Sequence, residues 1–296
     1  MQKPRIGFVG MGLMGVPMSL RLHEAGYSVS VWNRSPEKCR PLQGVGAQVC
    51  EHLQDLIRGS DIIMICVTDT HAVRAIVEGE GGLIEQGRDS QVLIDFSSIE
   101  PDATRSMAAE LLEKTGMRWI DAPVSGGVAG AEQGTLAIMA GGDAELLDTL
   151  RPVLAPLSQR VTHMGPVGAG QVTKICNQML VSCNVLVMAE VMALAEKAGV
   201  DAAQIPQALK GGFADSIPLQ LTGTRMAERD FDAVKWHVKT LLKDLDMANA
   251  LAKGSSSAIP MAGLGAELMR LHASQGNADR DPCTLVEIYA DKGLAK

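Results

Sequence analysis

The stretch GFVGMGLMGVPMSL, residues 7–20, places glycines at 10, 12 and 15. Glycine weakens helices and strands alike, so three within six positions ask for a reason in the backbone. The apolar run at 5–10 (RIGFVG) reads as a strand, and residues 13–25 read as a helix ended by Gly26. A GxGxxG between a strand and a helix, inside a βαβ unit, fits a dinucleotide-binding turn. Its first glycine makes the turn, its second lets the main chain approach a pyrophosphate, and its third lets helix pack on strand. The helix N-terminus adds free N–H groups and partial positive charge. A plain strand–helix turn has the same pattern, so the rest of the chain decides.

Working outward, short apolar runs alternate with helical patterns. YSVSVW (27–32) is a second strand, a helix begins near Pro36, and GVGAQV (44–49) holds a short strand. DIIMICV (61–67) and QVLIDFSS (91–98) read as buried strands, and another helix starts near Pro101. RWIDAPVSG (118–126) is strand then loop, and LAIMAGG (136–142) is strand then turn. Repeated βαβ units predict a doubly wound, mostly parallel sheet. From about residue 166 the texture changes. GPVGAGQ (165–171) leads into a helix of about 30 residues ending at Gly199, and helices separated by KGGFADSIP, AKGSSSAIP and SQGNADRDP follow. No strand is expected after about residue 163. The expected fold is therefore α/β: an N-terminal Rossmann-type doubly wound sheet over 1–164, then an all-α C-terminal domain over 165–296, joined by the long helix. That helix is too apolar all round for a monomer surface. Packing by other helices is expected, with a second subunit in a homodimer or homotetramer.

Composition narrows the partners. Apolar residues are 46% and charged residues 21%, as in an ordinary soluble globular protein. A net charge of −7 argues against nucleic acid or an anionic membrane. The six cysteines show no CxxC and no metal-ligand spacing, so reduced thiols and no metal are expected. A strand pattern begins within five residues of the start, and a cytoplasmic location is the expectation. The apolar stretch 179–195 contains Asn184 and Glu190, which suits a buried helix better than a membrane span.

The second strand ends Trp32-Asn33-Arg34-Ser35. An acid there would hold a ribose 2′-hydroxyl. An arginine instead matches a phosphate bidentately, so NADP is favoured over NAD. Val67-Thr68 and Ser97-Ser98 lie at C-terminal strand ends, the ligand-binding edge of an open α/β sheet. Ser125-Gly126-Gly127, in DAPVSGG (121–127), offers a hydroxyl and unhindered amides to a carboxylate. Lys174, Asn177 and Gln178 share one face near the start of the long helix. Lys243 stands beside Asp244 in LLKDLDMA (241–248), where a surface ion pair is the simpler reading. Each of these features has an equally plain structural role as a cap, a turn or a solvated charge.

Taken together, the motifs resemble the β-hydroxyacid dehydrogenase family over essentially the whole chain: GFVGMGLMG, DAPVSGG, GPVGAGQVTKICNQ and KDLDMA, in that order. The resemblance implies a catalytic lysine at Lys174 and a substrate-carboxylate loop at Ser125, Gly126 and Gly127. It implies that Asn177, with Gln178, holds the substrate's hydroxyl or carbonyl end. It assigns cofactor contacts to Gly10, Met11, Gly12, Leu13, Met14, Asn33, Arg34, Val67, Thr68, Ser98 and Lys243. The implied cofactor is NADP or NAD, and the substrate a small aldehyde acid or hydroxyacid. The Asn177-Gln178 pair, where many members have two asparagines, is similar to tartronate semialdehyde reductases. The turn NRSPEKC (33–39) instead resembles the NADP-using glyoxylate/succinic semialdehyde reductases. Thr68 replaces a usual proline, and Trp236 and His237 also depart from the pattern. Tartronate semialdehyde is the first expectation, with glyoxylate, succinic semialdehyde or 3-hydroxyisobutyrate as alternatives. A non-catalytic dinucleotide-binding module would be free to lose Lys174 and Asn177, and both are present.

Overall fold

The computed structural model describes residues 3–290, in two compact units that divide between Lys174 and Ile175. The first unit carries nine strands: β1 (Ile6–Val9), β2 (Val29–Trp32), β3 (Gln48–Val49), β4 (Ile62–Ile65), β5 (Val92–Asp95), β6 (Arg118–Asp121), β7 (Val124–Ser125), β8 (Leu136–Gly141) and β9 (Ser158–Gly165). Strands pair in the order β3-β2-β1-β4-β5-β6, all parallel. β8 joins this sheet antiparallel to β6 and β7, with β9 parallel beside it. The central strands are continuous apolar runs because helices cover both faces of a parallel sheet. Alternate residues serve opposite cores. Phe8, Met64, Ile94 and Ile120 pack on one face, and Val9, Ile63, Ile65, Leu93 and Trp119 on the other.

β1 has β2 on one side and β4 on the other, so the strand order reverses between β1 and β4. The crevice at the carboxyl ends of those two strands is where an open α/β sheet holds ligands. The GxGxxG turn leaves β1 at that point and enters the helix Gly15–Glu24.

Several elements differ in detail from the sequence expectation. The stretch from Pro36 is a 3₁₀ turn, Pro36–Cys39, running into the short helix Arg40–Gly44. The expected loop after β6 contains β7, which pairs with β8. Strand β9 is an addition, since no strand was read beyond LAIMAGG (136–142), and it runs to Gly165, just past residue 163. It lies at the margin of the sheet with most residues exposed, so no apolar run marks it.

The long helix is Ala169–Lys197, 29 residues, beginning in the first unit and continuing into the second. The second unit adds the helices Ile205–Leu209, Thr224–Glu228, Val238–Gly254 and Pro260–His272, and among its described residues there is no strand. The long helix is apolar and long enough to cross a membrane. Its Val185, Met188, Ala189 and Met192 are instead packed in a protein core with Leu241, Leu245, Ala266 and Met269.

Candidate active site

The three glycines of the first turn do three different things. Gly10 has φ +103°, and a Cβ there would lie 2.2 Å from the Cys66 carbonyl oxygen at the end of β4. A Cβ at Gly15 would lie 1.8 Å from the Gly10 carbonyl oxygen, so only glycine lets the helix sit this close to the strand. Gly12 faces open space, with no atom within 4 Å of where a Cβ would stand. That opening suits a pyrophosphate on the main chain. The Asn33 Oδ1 accepts the Met11 N–H at 2.9 Å, while Asn33 Nδ2 donates to the Ser35 carbonyl at 2.9 Å. Asn33 thus braces the turn against the end of β2.

A cleft of about 470 Å³ opens at this edge. Gly10, Gly12, Asn33, Arg34, Val67 and Thr68 line it, as do Ser35 and Lys38. Met11 is buried, Met14 packs against the core and Leu13 is exposed; none of the three lines the cleft. Lys38 was not singled out in the sequence. It sits in the same turn as Arg34, and the 3₁₀ stretch brings both cations to one mouth. Both side chains are exposed and make no hydrogen bond or ion pair among the described residues. Two segments with no motif of their own form much of the remaining wall, through Glu51, His52, Gln54, Glu80 and Gly81. Two cations with open donors fit a phosphate group.

The start of the long helix is locked by a buried carboxylate. Asp121, at the end of β6 and fully buried, accepts the N–H groups of Gly168 (2.7 Å) and Gln171 (2.9 Å). Burial pushes its carboxyl above the usual range, and those backbone donors pull against the shift. Gln171 Nε2 donates to the Ser97 carbonyl (2.9 Å), and its Oε1 accepts the Ile99 N–H (3.1 Å). The glycine-rich entry has a steric reason, since a Cβ at Gly170 would lie 2.4 Å from the Met139 carbonyl oxygen. Lys174 follows Gln171 by less than one turn and is half-buried. Ser98 is half-buried just beyond β5, beside Ser97. Ser125 is half-buried on β7, and Gly126 (φ +133°) and Gly127 (φ +61°) are exposed where the next helix begins.

In the second unit Asp244 gathers the remaining candidates. Its Oδ2 accepts from Gln178 Nε2 at 2.6 Å, and its Oδ1 stands 3.3 Å from Lys243 Nζ. Gln178 Oε1 accepts from Asn177 Nδ2 at 2.9 Å. Asp244 is buried, so its pair with Lys243 is not the surface ion pair that is the simpler sequence reading. In the sequence Asp244 reads only as the lysine's surface partner; its burial and its bond to Gln178 make it the organising group. Among the described residues no three His, Cys, Asp or Glu side chains cluster as metal ligands.

Comparisons with known proteins agree with this layout. A family model described as the NAD binding domain of 6-phosphogluconate dehydrogenase matches residues 5–165. A second, described as the NAD-binding of NADP-dependent 3-hydroxyisobutyrate dehydrogenase, matches residues 168–289. The chain is 36% identical over 294 residues to 2-hydroxy-3-oxopropionate reductase of Escherichia coli (strain K12), covering 98% of this chain and 100% of that one. It is 32% identical over 292 residues to NAD-dependent L-serine dehydrogenase of Pseudomonas aeruginosa, covering 96% and 97%. The solved Mycobacterium tuberculosis 3-hydroxyisobutyrate dehydrogenase with L-serine superposes with a TM-score of 0.87 at 28% identity, covering 97% of this chain and 99% of that one.

Proposed function

The chain belongs to the β-hydroxyacid dehydrogenase family of NAD(P)-dependent oxidoreductases, and from that membership we propose that it reduces tartronate semialdehyde to glycerate with NADP as preferred cofactor. The observation that carries the substrate is full-length similarity to a 2-hydroxy-3-oxopropionate reductase, combined with Asn177-Gln178 after the lysine. The observation that carries the cofactor is the pair of open cations, Arg34 and Lys38, at the mouth of the cleft.

When bound, the nicotinamide supplies the hydride that reduces the aldehyde carbon. The protein's part is to hold and protonate. Gly12 gives the pyrophosphate a bare stretch of main chain, and Arg34 with Lys38 takes the 2′-phosphate. Ser125, Gly126 and Gly127 hold the substrate carboxylate. Lys174 faces the aldehyde oxygen as negative charge builds there and delivers the proton that makes the new hydroxyl. Asn177, held through Gln178 by Asp244, orients the same end of the substrate.

NADPH and NADH, each tried against tartronate semialdehyde, glyoxylate, succinic semialdehyde and methylmalonate semialdehyde, test the reading. The highest kcat/KM is expected for tartronate semialdehyde with NADPH. A clear preference for glyoxylate or succinic semialdehyde favours the second reading, which the NRSPEKC turn supports. Arg34→Ala is expected to raise the NADPH KM about 10–100-fold with little effect on NADH, the loss of a charge-assisted pair. Equal effects on both cofactors would remove the phosphate clamp. Lys174→Ala is expected to lower kcat about 100-fold or more while NADPH affinity holds. Near-normal turnover would take Lys174 out of the chemistry.

The long helix also exposes Leu180, Val187 and Leu194, spaced by seven along one face. This supports assembly of two or four copies through that face. A monomer in sedimentation equilibrium would rule it out.

A further inference from the structure

Two parts of the proposed site meet at one buried serine. Ser97, just after β5, accepts the Val67 N–H on its Oγ at 3.0 Å, and Val67 lines the dinucleotide cleft. The Ser97 carbonyl accepts from Gln171 Nε2 at 2.9 Å, less than one turn before Lys174. Behind the serine lies Asp95, fully buried, whose Oδ1 accepts the Ser97 N–H at 2.9 Å. Ser97 is thus bonded on both sides: its N–H donates to Asp95 and its Oγ accepts from Val67.

We propose that Asp95 is a positioning residue: by accepting the Ser97 N–H it fixes Ser97, which clamps Val67 at the cofactor cleft and ties that loop to the helix bearing Lys174. The proposal rests on reading the first unit as the dinucleotide site. A buried acid is a costly choice at this position, where an apolar side chain would pack without penalty. Its Oδ2 has no hydrogen-bond partner among the described residues. Burial, reinforced by Asp121 on the neighbouring strand, pushes its carboxyl up to about 7, against the pull of the Ser97 N–H. A group kept at such cost and bonded to a ligand-lining loop is better explained by the site than by the fold.

The test uses the full chain as wild type, Asp95→Ala, Asp95→Asn, Ser97→Ala and the double Ala variant. Amide exchange at Val67 without cofactor reads the clamp directly, and NADPH titration reads its consequence. Asp95→Ala removes the oxygen that accepts the Ser97 N–H, Asp95→Asn keeps an accepting oxygen without the charge, and Ser97→Ala removes the acceptor of the Val67 N–H. Asp95→Ala and Ser97→Ala are each expected to speed Val67 exchange about tenfold and weaken NADPH about 5–10-fold, the scale of one buried hydrogen bond, while Asp95→Asn holds wild-type exchange. The double Ala variant is expected to match Ser97→Ala, because Asp95 acts on Val67 through Ser97. Wild-type exchange at Val67 in Asp95→Ala, or effects that add in the double variant, would overturn the proposal. If Asp95→Ala does not fold, Asp95→Leu fills the space without an acceptor, and the same outcomes decide. A wild type that binds no dinucleotide sinks the cofactor reading, while Val67 exchange still decides the clamp.

Discussion

Gly15 leaves no room for a methyl group, whereas Gly12, three residues earlier, leaves all the room a ligand needs. The two positions therefore separate stability from binding. Gly15→Ala forces the helix Gly15–Glu24 off β1, and a loss of about 2–4 kcal/mol is expected in urea unfolding. Gly12→Ala is expected to leave the unfolding midpoint nearly unchanged and to weaken NADPH binding. Unchanged stability in Gly15→Ala would mean that the helix shifts freely. The spacing of the glycines was plain in the sequence, and so was Arg34. Lys38 was overlooked although it stands in the same turn, because only the 3₁₀ geometry brings it round to the arginine. Asp95 was overlooked, and Asp244 read only as a surface partner of Lys243, for a different reason. An acid inside an apolar run or beside a lysine reads as an ordinary charge until its burial is known.

Among the elements, the start of the long helix depends on a residue from another strand. Asp121 satisfies two of the N–H groups that a helix leaves open at its first turn. Asp121→Ala is expected to cost about 1–2 kcal/mol, as for loss of an N-cap. It is also expected to lower kcat more than it weakens NADPH, because Lys174 rides on the turns that would fray. A variant that loses stability with kcat intact would show that the helix start does not position the lysine. The glycine-rich GPVGAGQ marked this entry in the sequence, and the close approach of Gly170 to Met139 explains it. The strands β1, β2, β4, β5 and β6 were legible because both of their faces are covered and their apolar runs are unbroken. β9 was not, since an exposed margin strand is held by main-chain hydrogen bonds that any sequence can make.

For the molecule as a whole, two buried acids make stability depend on pH. Asp95 and Asp121 both titrate above the usual carboxylate range, with burial as the leading cause. A carboxyl whose folded value is raised favours the protonated folded state. Its contribution is complete below the unfolded value, near 4, and is lost as pH rises through about 7. For Asp95 this amounts to at most about 4 kcal/mol. The melting temperature is therefore expected to fall from about pH 5 to about pH 8, and Asp95→Asn should flatten that fall. An unchanged slope would show that Asp95 does not titrate in this range. Local patterns determined the parallel sheet, its nucleotide-binding turn, the long helix and the family, because strand runs, helix periods and glycine spacings are written in neighbouring residues. Which acid is buried, which amide is already taken and which cations share a mouth were decided only by the folded chain. Burial and hydrogen-bond partners join residues far apart in sequence: Asp121 to Gly168, Ser97 to Val67 and to Gln171, and Gln178 to Asp244.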